Sequence, residues 1–167
     1  SDLIFALGKS SARLGAGFTL VETMVSFAIL VFVSTSLTFF INSTTRSAGL
    51  MIDRTIAANL AQEGLEIVRN IRDSAWLGGG SFDAALPVGT WQVQWDSSSF
   101  AANANNFLKI DSSGAYQYSS GSDTKFKRLI TISDISGSQK KVIAVVSWVT
   151  LPGTKNVSVE HRLFNWQ

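Results

Sequence analysis

The chain has no cysteine, a single histidine and two prolines among 167 residues. Without thiols it forms neither disulfides nor zinc–thiolate sites, so packing and assembly must hold whatever fold it adopts. A lone imidazole, His161, argues against histidine-based catalysis and against metal centres built on several histidines. Charge is sparse: 14 basic side chains against 12 acidic ones leave a net of +2. That total makes no electrostatic case for nucleic acid. No P-loop, dinucleotide fingerprint or Ser/His/Asp set occurs, which argues against an enzyme, and nothing calls for a cofactor or a metal.

What the sequence does have is one long apolar run. Phe18–Ile41 holds 24 residues, 16 of them apolar, with a single charge at Glu22. As a helix it would rise about 36 Å, enough to cross a hydrocarbon core of about 30 Å. A carboxylate in such a span costs about 2.5–3.5 kcal/mol at the centre, so Glu22, close to one end, needs a partner. Upstream, 1–17 carries Lys9 and Arg13 and ends in the small residues Gly15, Ala16 and Gly17. This reads as a processing leader, although the apolar run follows the small residues rather than preceding them. A cut after Gly17 leaves the span attached and frees an ammonium on Phe18, within reach of a carboxylate four residues on or on a neighbouring subunit.

The stretch Gly17-Phe18-Thr19-Leu20-Val21-Glu22 and the apolar run after it resemble the class III signal of type IV prepilins and type II secretion pseudopilins. The resemblance implies cleavage after Gly17 by a membrane-bound prepilin peptidase and N-methylation of Phe18. It also implies that Glu22 guides docking by meeting a neighbour's terminal amine. The implied partners are other pilin subunits in a helical filament, the prepilin peptidase, a membrane assembly platform and, before assembly, the cytoplasmic membrane. The implied function is a structural subunit of a pilus or pilus-like filament. The alternative is a tip or minor pilin that binds DNA, surfaces or exported protein. Many major pilins interrupt the apolar half with Gly and Pro; Phe18–Ala48 contains neither, and position 39 is Phe. That difference, with Leu60–Arg72, points toward a minor pilin or an I-type pseudopilin.

The rest of the chain reads as an α+β roll: a long N-terminal helix packed on a C-terminal antiparallel sheet. The expected divisions are a leader at 1–17, a transmembrane and assembly helix at 18–50 and an amphipathic half at 51–77. A variable loop region at 78–124 and the sheet at 125–167 follow, with 51–167 one globular domain. Ile56, Leu60, Ile67, Ile71 and Ala75 recur at helical spacing, widened by Ala57, Ala61 and Val68. Arg69 and Asp73 form an i,i+4 pair, Gly49 marks a weak point, and Gly78-Gly79-Gly80 ends the helix. Trp91–Trp95 alternates and predicts a strand with Trp91, Val93 and Trp95 inward. Shorter strand candidates are Phe107–Ile110 and Tyr116–Tyr118, around the turn at Asp111–Gly114. Three longer strands, at 126–133, 140–150 and 156–166, form a meander. The middle one is apolar on both faces, which predicts a central strand covered on both sides.

Among remaining polar residues, Asp96, Asp111, Asp123 and Asp134 lack the spacing of a calcium loop and read as solvated turn residues. His161 reads as a surface or half-buried strand residue. Lys125, Lys127, Arg128, Lys140 and Lys141 fall on adjacent strand ends. They form either a rim that discourages edge pairing or a DNA contact patch, the latter without the aromatic interleaving that would support it.

Overall fold

The computed structural model describes residues 17–151 and 153–165, so the expected leader lies outside it apart from Gly17. The described residues form a long helix α1 (Leu20–Leu77), a one-turn helix α2 (Phe82–Ala85) and eight strands. The strands are β1 (Gly89–Gln92), β2 (Ala101–Ala102), β3 (Lys109–Ile110), β4 (Tyr116–Gln117), β5 (Ser122–Asp123), β6 (Phe126–Ser136), β7 (Gln139–Thr150) and β8 (Gly153–Phe164). The fold is α+β, an apolar N-terminal helix followed by C-terminal antiparallel sheets. The chain divides between Ser47 and Ala48 into two compact units. The first unit contains the apolar half of α1; the second contains the remainder of α1, α2 and every described strand.

In the second unit, the helical spacing becomes a buried face. Ala57, Leu60, Ala61, Leu65, Ile67, Val68 and Ile71 of α1 are buried against the sheet, while Ile56 and Ala75 at the stripe's ends are only half-buried. Gly64 lies on this face for a packing reason. A Cβ there would come within 2.9 Å of Ile130 Cδ1 and 3.0 Å of Arg128 Cδ, so helix and sheet approach more closely than a larger residue permits. The helix stops where three glycines follow one another. Gly79 takes φ 78°, its N–H donates to Trp76 O and the Gly80 N–H to Ala75 O, at 2.9 and 2.8 Å. This is a Schellman ending, in which a left-handed glycine lets the chain satisfy the last carbonyls. The i,i+4 pairing expected of Arg69 and Asp73 is not what forms. Arg69 pairs with Glu66 one turn back at 3.0 Å, and Asp73 is taken by its neighbour Arg72 at 2.6 Å.

Five strands form one sheet in the order β2-β1-β6-β7-β8, and β4-β3-β5 form a smaller one. The meander is antiparallel, with β7 paired along its length to β6 on one side and β8 on the other. Strict alternation in β7 puts Val142, Ala144, Val146 and Trp148 in the core, beside Phe126, Ile130 and Ile132 of β6. The expected cover on the other face of β7 is incomplete. Ile143 and Val145 are half-buried among cross-strand neighbours, and Val149 is 66% exposed. Alternating apolar residues also overstated β1. The strand stops at Gln92, because a turn closes with the Ser97 N–H on Gln94 O and the Gln94 N–H on Ser97 Oγ, both at 2.9 Å. Val93 still reaches the core, but Trp95, expected inward, is 58% exposed.

Trp148 is 4% exposed and packs on Phe126 with ring centroids 6.0 Å apart. It lies near the end of β7, opposite the first residue of β6, rather than mid-sheet. Truncating a buried aromatic costs about 3–5 kcal/mol, a large share of the ~5–15 kcal/mol that holds a domain. Trp148→Ala in the full chain, held in detergent, is therefore expected to lower the thermal midpoint by roughly 10 °C or more. Near-ultraviolet circular dichroism on heating would show it. An unchanged melting curve would remove Trp148 from the list of residues that hold the sheet together.

Candidate functional site

The N-terminal junction is built by a cap. Thr19 directly precedes α1, and its Oγ1 accepts the Glu22 N–H at 3.2 Å while its carbonyl accepts the Thr23 N–H at 3.1 Å. Thr19 with Glu22 three residues on is the sequence pattern of a capping box, and it sets where the helix begins. The pattern stood in the sequence, and a reading of Glu22 only as a membrane charge misses it. The carboxylate of Glu22 lies in the first turn of α1, where the helix dipole favours negative charge. Gly17 and Phe18 precede the cap in non-helical backbone. Phe18 is 78% exposed, and a Cβ added at Gly17 would meet no atom within 4 Å. Among the described residues, the scissile position suggested by sequence is free of side chains other than those of its own neighbours.

Beyond the cap, α1 presents Val21, Val25, Phe32, Phe39 and their neighbours outward. Its most apolar 18-residue window averages a hydropathy of 2.2 with none of it buried, long and apolar enough to cross a membrane. Several hydroxyls in this stretch bond back to their own helix. Thr35 donates to Val31 O at 2.8 Å, Ser36 to Phe32 O at 2.9 Å and Thr38 to Ser34 O at 2.9 Å. In hydrocarbon every polar group must be satisfied internally, and these are.

The basic cluster expected at the strand ends is taken apart by the fold. Alternation along β6 turns Arg128 inward. Its Nη1 donates to Leu60 O at 3.0 Å and Glu63 Oε1 at 3.1 Å, and its Nη2 to Val93 O at 2.6 Å. One buried guanidinium therefore ties α1, β6 and the segment after β1 together. Tyr118 closes the same knot by donating to Arg128 O at 3.1 Å, and burial pushes its hydroxyl above the ordinary value. Lys140 is buried as well, bridging Asp83 at 3.0 Å and Asp134 at 3.1 Å. Burial pulls its ammonium down, but the two aspartates together outweigh this and hold it raised. Lys125 is bound to Asp53 of α1 at 2.6 Å. Three of the five basic residues are thus committed to partners within the fold, while Lys127 and Lys141 are half-buried on their strands.

Asp111, Asp96 and His161 each have partners within the fold. Asp111 accepts from the Ser113 hydroxyl, the Ala115 N–H and the Ser113 N–H at 2.6, 3.0 and 2.8 Å, closing the β3–β4 turn. Those bonds hold its carboxyl below the usual range. Asp96 accepts from Gln94 Nε2 at 2.7 Å. Among the described residues no three His, Asp or Glu side chains are grouped as metal ligands. His161 is half-buried on β8, with Arg69 Nη2 3.2 Å from its Nδ1.

An exposed apolar helix that begins at a threonine cap with an acid in its first turn, followed in the chain by a helix-on-antiparallel-sheet unit, is consistent with an α+β pilin fold. Residues 13–38 match the model of the prokaryotic N-terminal methylation motif. The chain thus carries the prepilin signal of the type IV pilin and pseudopilin superfamily. No curated protein and no solved structure matches it.

Proposed function

We propose that the chain is a structural subunit of a type IV pilus or related filament, cleaved after Gly17, methylated on Phe18 and assembled through its N-terminal helix. The observation that carries this reading is the match at residues 13–38, which runs directly into a helix with no buried residue in its apolar window. Such a helix needs lipid before assembly and other apolar helices after it. The subunit sits in the cytoplasmic membrane as a single-pass protein and then enters a surface or periplasmic filament. The prepilin peptidase, the assembly platform and other pilins are its partners, and its role is mechanical rather than catalytic. The unbroken α1 from Leu20 onward supports a minor pilin or an I-type pseudopilin.

The test is the mass of the subunit in filaments sheared from its native host. A chain that begins at Phe18 and carries one extra methyl group is expected. A chain still extending upstream of Gly17 in assembled filaments would sink the proposal.

A further inference from the structure

Taking apart the basic cluster leaves one lysine in an unusual setting. Lys127 is half-buried on β6, with Nζ 4.4 Å from the centroid of the Phe107 ring and 3.4 Å from Asn105 Oδ1. It lines a pocket of about 300 Å³ whose polar groups are Lys125, Lys127, Asn105, Ser147 and Thr154. Phe107 and Val149 supply an apolar wall, while the Trp148 side chain faces the core on the other side of the sheet, and among the described residues no aspartate or glutamate lines the space. The contrast with the buried cations is direct. Arg128 and Lys140 each meet a carboxylate, whereas Lys127 is held by a ring face and an amide oxygen. Lys125, in contrast, is paired with Asp53 of α1.

The arrangement has a structural origin. Lys127 and Ser147 are register partners on β6 and β7, and Thr154 pairs with Val149 at the start of β8. The ammonium and the two hydroxyls therefore stand on three adjacent strands of one rigid sheet. Asn105, with φ 56° in the left-handed region, sets the loop that brings Phe107 under Lys127. Donors dominate, and of the two ammonium groups Lys127 is the one with no carboxylate partner among the described residues, Lys125 being tied to Asp53. Charge-assisted bonds to an anionic oxygen are stronger than those to neutral acceptors.

We propose that this pocket binds an oxyanion, a phosphate or carboxylate group carried on a larger molecule, with Lys127 as the principal charge and Ser147 and Thr154 as hydroxyl donors. The aromatic and aliphatic wall would accommodate the apolar part of that molecule. The proposal concerns the globular unit and does not depend on the filament reading.

The experiment is a titration of the full chain in non-ionic detergent, followed by amide nuclear magnetic resonance. Inorganic phosphate and acetate serve as probes, with sodium chloride at matched ionic strength as the control. Saturable shifts at Asn105, Phe107, Lys127, Ser147 and Thr154 are expected with at least one probe. Phosphate alone would identify a tetrahedral preference, and both probes a general oxyanion site. Lys127→Gln should weaken binding at least about tenfold, the scale of one lost charged hydrogen bond. Lys127→Arg should retain binding, and the unchanged amide spectrum of distant residues such as Val68 would show that both variants fold. Shifts that follow ionic strength alone, or that persist undiminished in Lys127→Gln, would overturn the assignment.

Discussion

Gly17→Val is expected to leave the chain uncut and absent from filaments while leaving its fold and its membrane insertion intact. The backbone at Gly17 is exposed and non-helical, and among the described residues a side chain there meets no atom within 4 Å beyond its chain neighbours. No internal strain therefore accompanies the change. What the change alters is the fit of the junction into a peptidase cleft, where a bare backbone gives the enzyme close access to the scissile carbonyl. A β-branched side chain stiffens the residue and crowds that approach. The helix that follows keeps its own start, since the cap comes from Thr19 two residues on. The expected loss is close to complete, because processing precedes assembly. Anti-subunit blots of membrane and filament fractions would show a single longer species confined to membranes. Mature subunit from the variant at the wild-type level would mean that the cut falls elsewhere.

How much of this was legible in the residues depends on how local each signal was. The apolar run, the glycine ending of α1 and the meander all rest on contacts close in sequence, and each appears where the pattern placed it. Trp95 failed because strict alternation says which face a strand would offer but not where the strand stops, and that was fixed by Ser97 folding back on Gln94. The pairing of Arg69 failed because i,i+3 and i,i+4 partners compete on equal terms on a helix surface. Arg128 could not be recognised from sequence as a buried hub. Its partners at Leu60, Glu63 and Val93 lie 68, 65 and 35 residues away, and only the closed fold brings them together. The same holds for Gly64, an unexplained glycine in a helix until Ile130 is placed against it. Lys127 is the converse case: sequence counted it among five charges of one patch, and the fold singled it out by placing it against Phe107 while Lys125, Arg128 and Lys140 took carboxylate partners.

Glu22→Ala is expected to cut incorporation into filaments by at least about tenfold while leaving insertion and Gly17 cleavage unchanged. The local consequences of the change are small. The bond that caps α1 runs from the backbone N–H of residue 22 to Thr19 Oγ1, so alanine preserves it. The lost attraction between the carboxylate and the helix dipole amounts to about 0.3–1 kcal/mol at an exposed end. The intermolecular consequence is larger. Inside a bundle of apolar helices an unpaired charge is expensive, and removing one partner of a buried pair costs about 3–5 kcal/mol. If Glu22 meets the Phe18 ammonium of a neighbour, alanine leaves that ammonium uncompensated even in the correctly docked contact. The pair would then fix axial register more than net affinity, because any other register strands both charges. Glu22→Gln separates charge from shape: it keeps the volume and the cap, and it should fail as alanine does. The measurement is the ratio of mutant subunit in sheared filaments to that in membranes, which remains valid for a scarce subunit where counting pili does not. Equal ratios for wild type, Ala and Gln would show that Glu22 is not the docking charge, and its place at the start of α1 would then be explained by the cap and dipole alone.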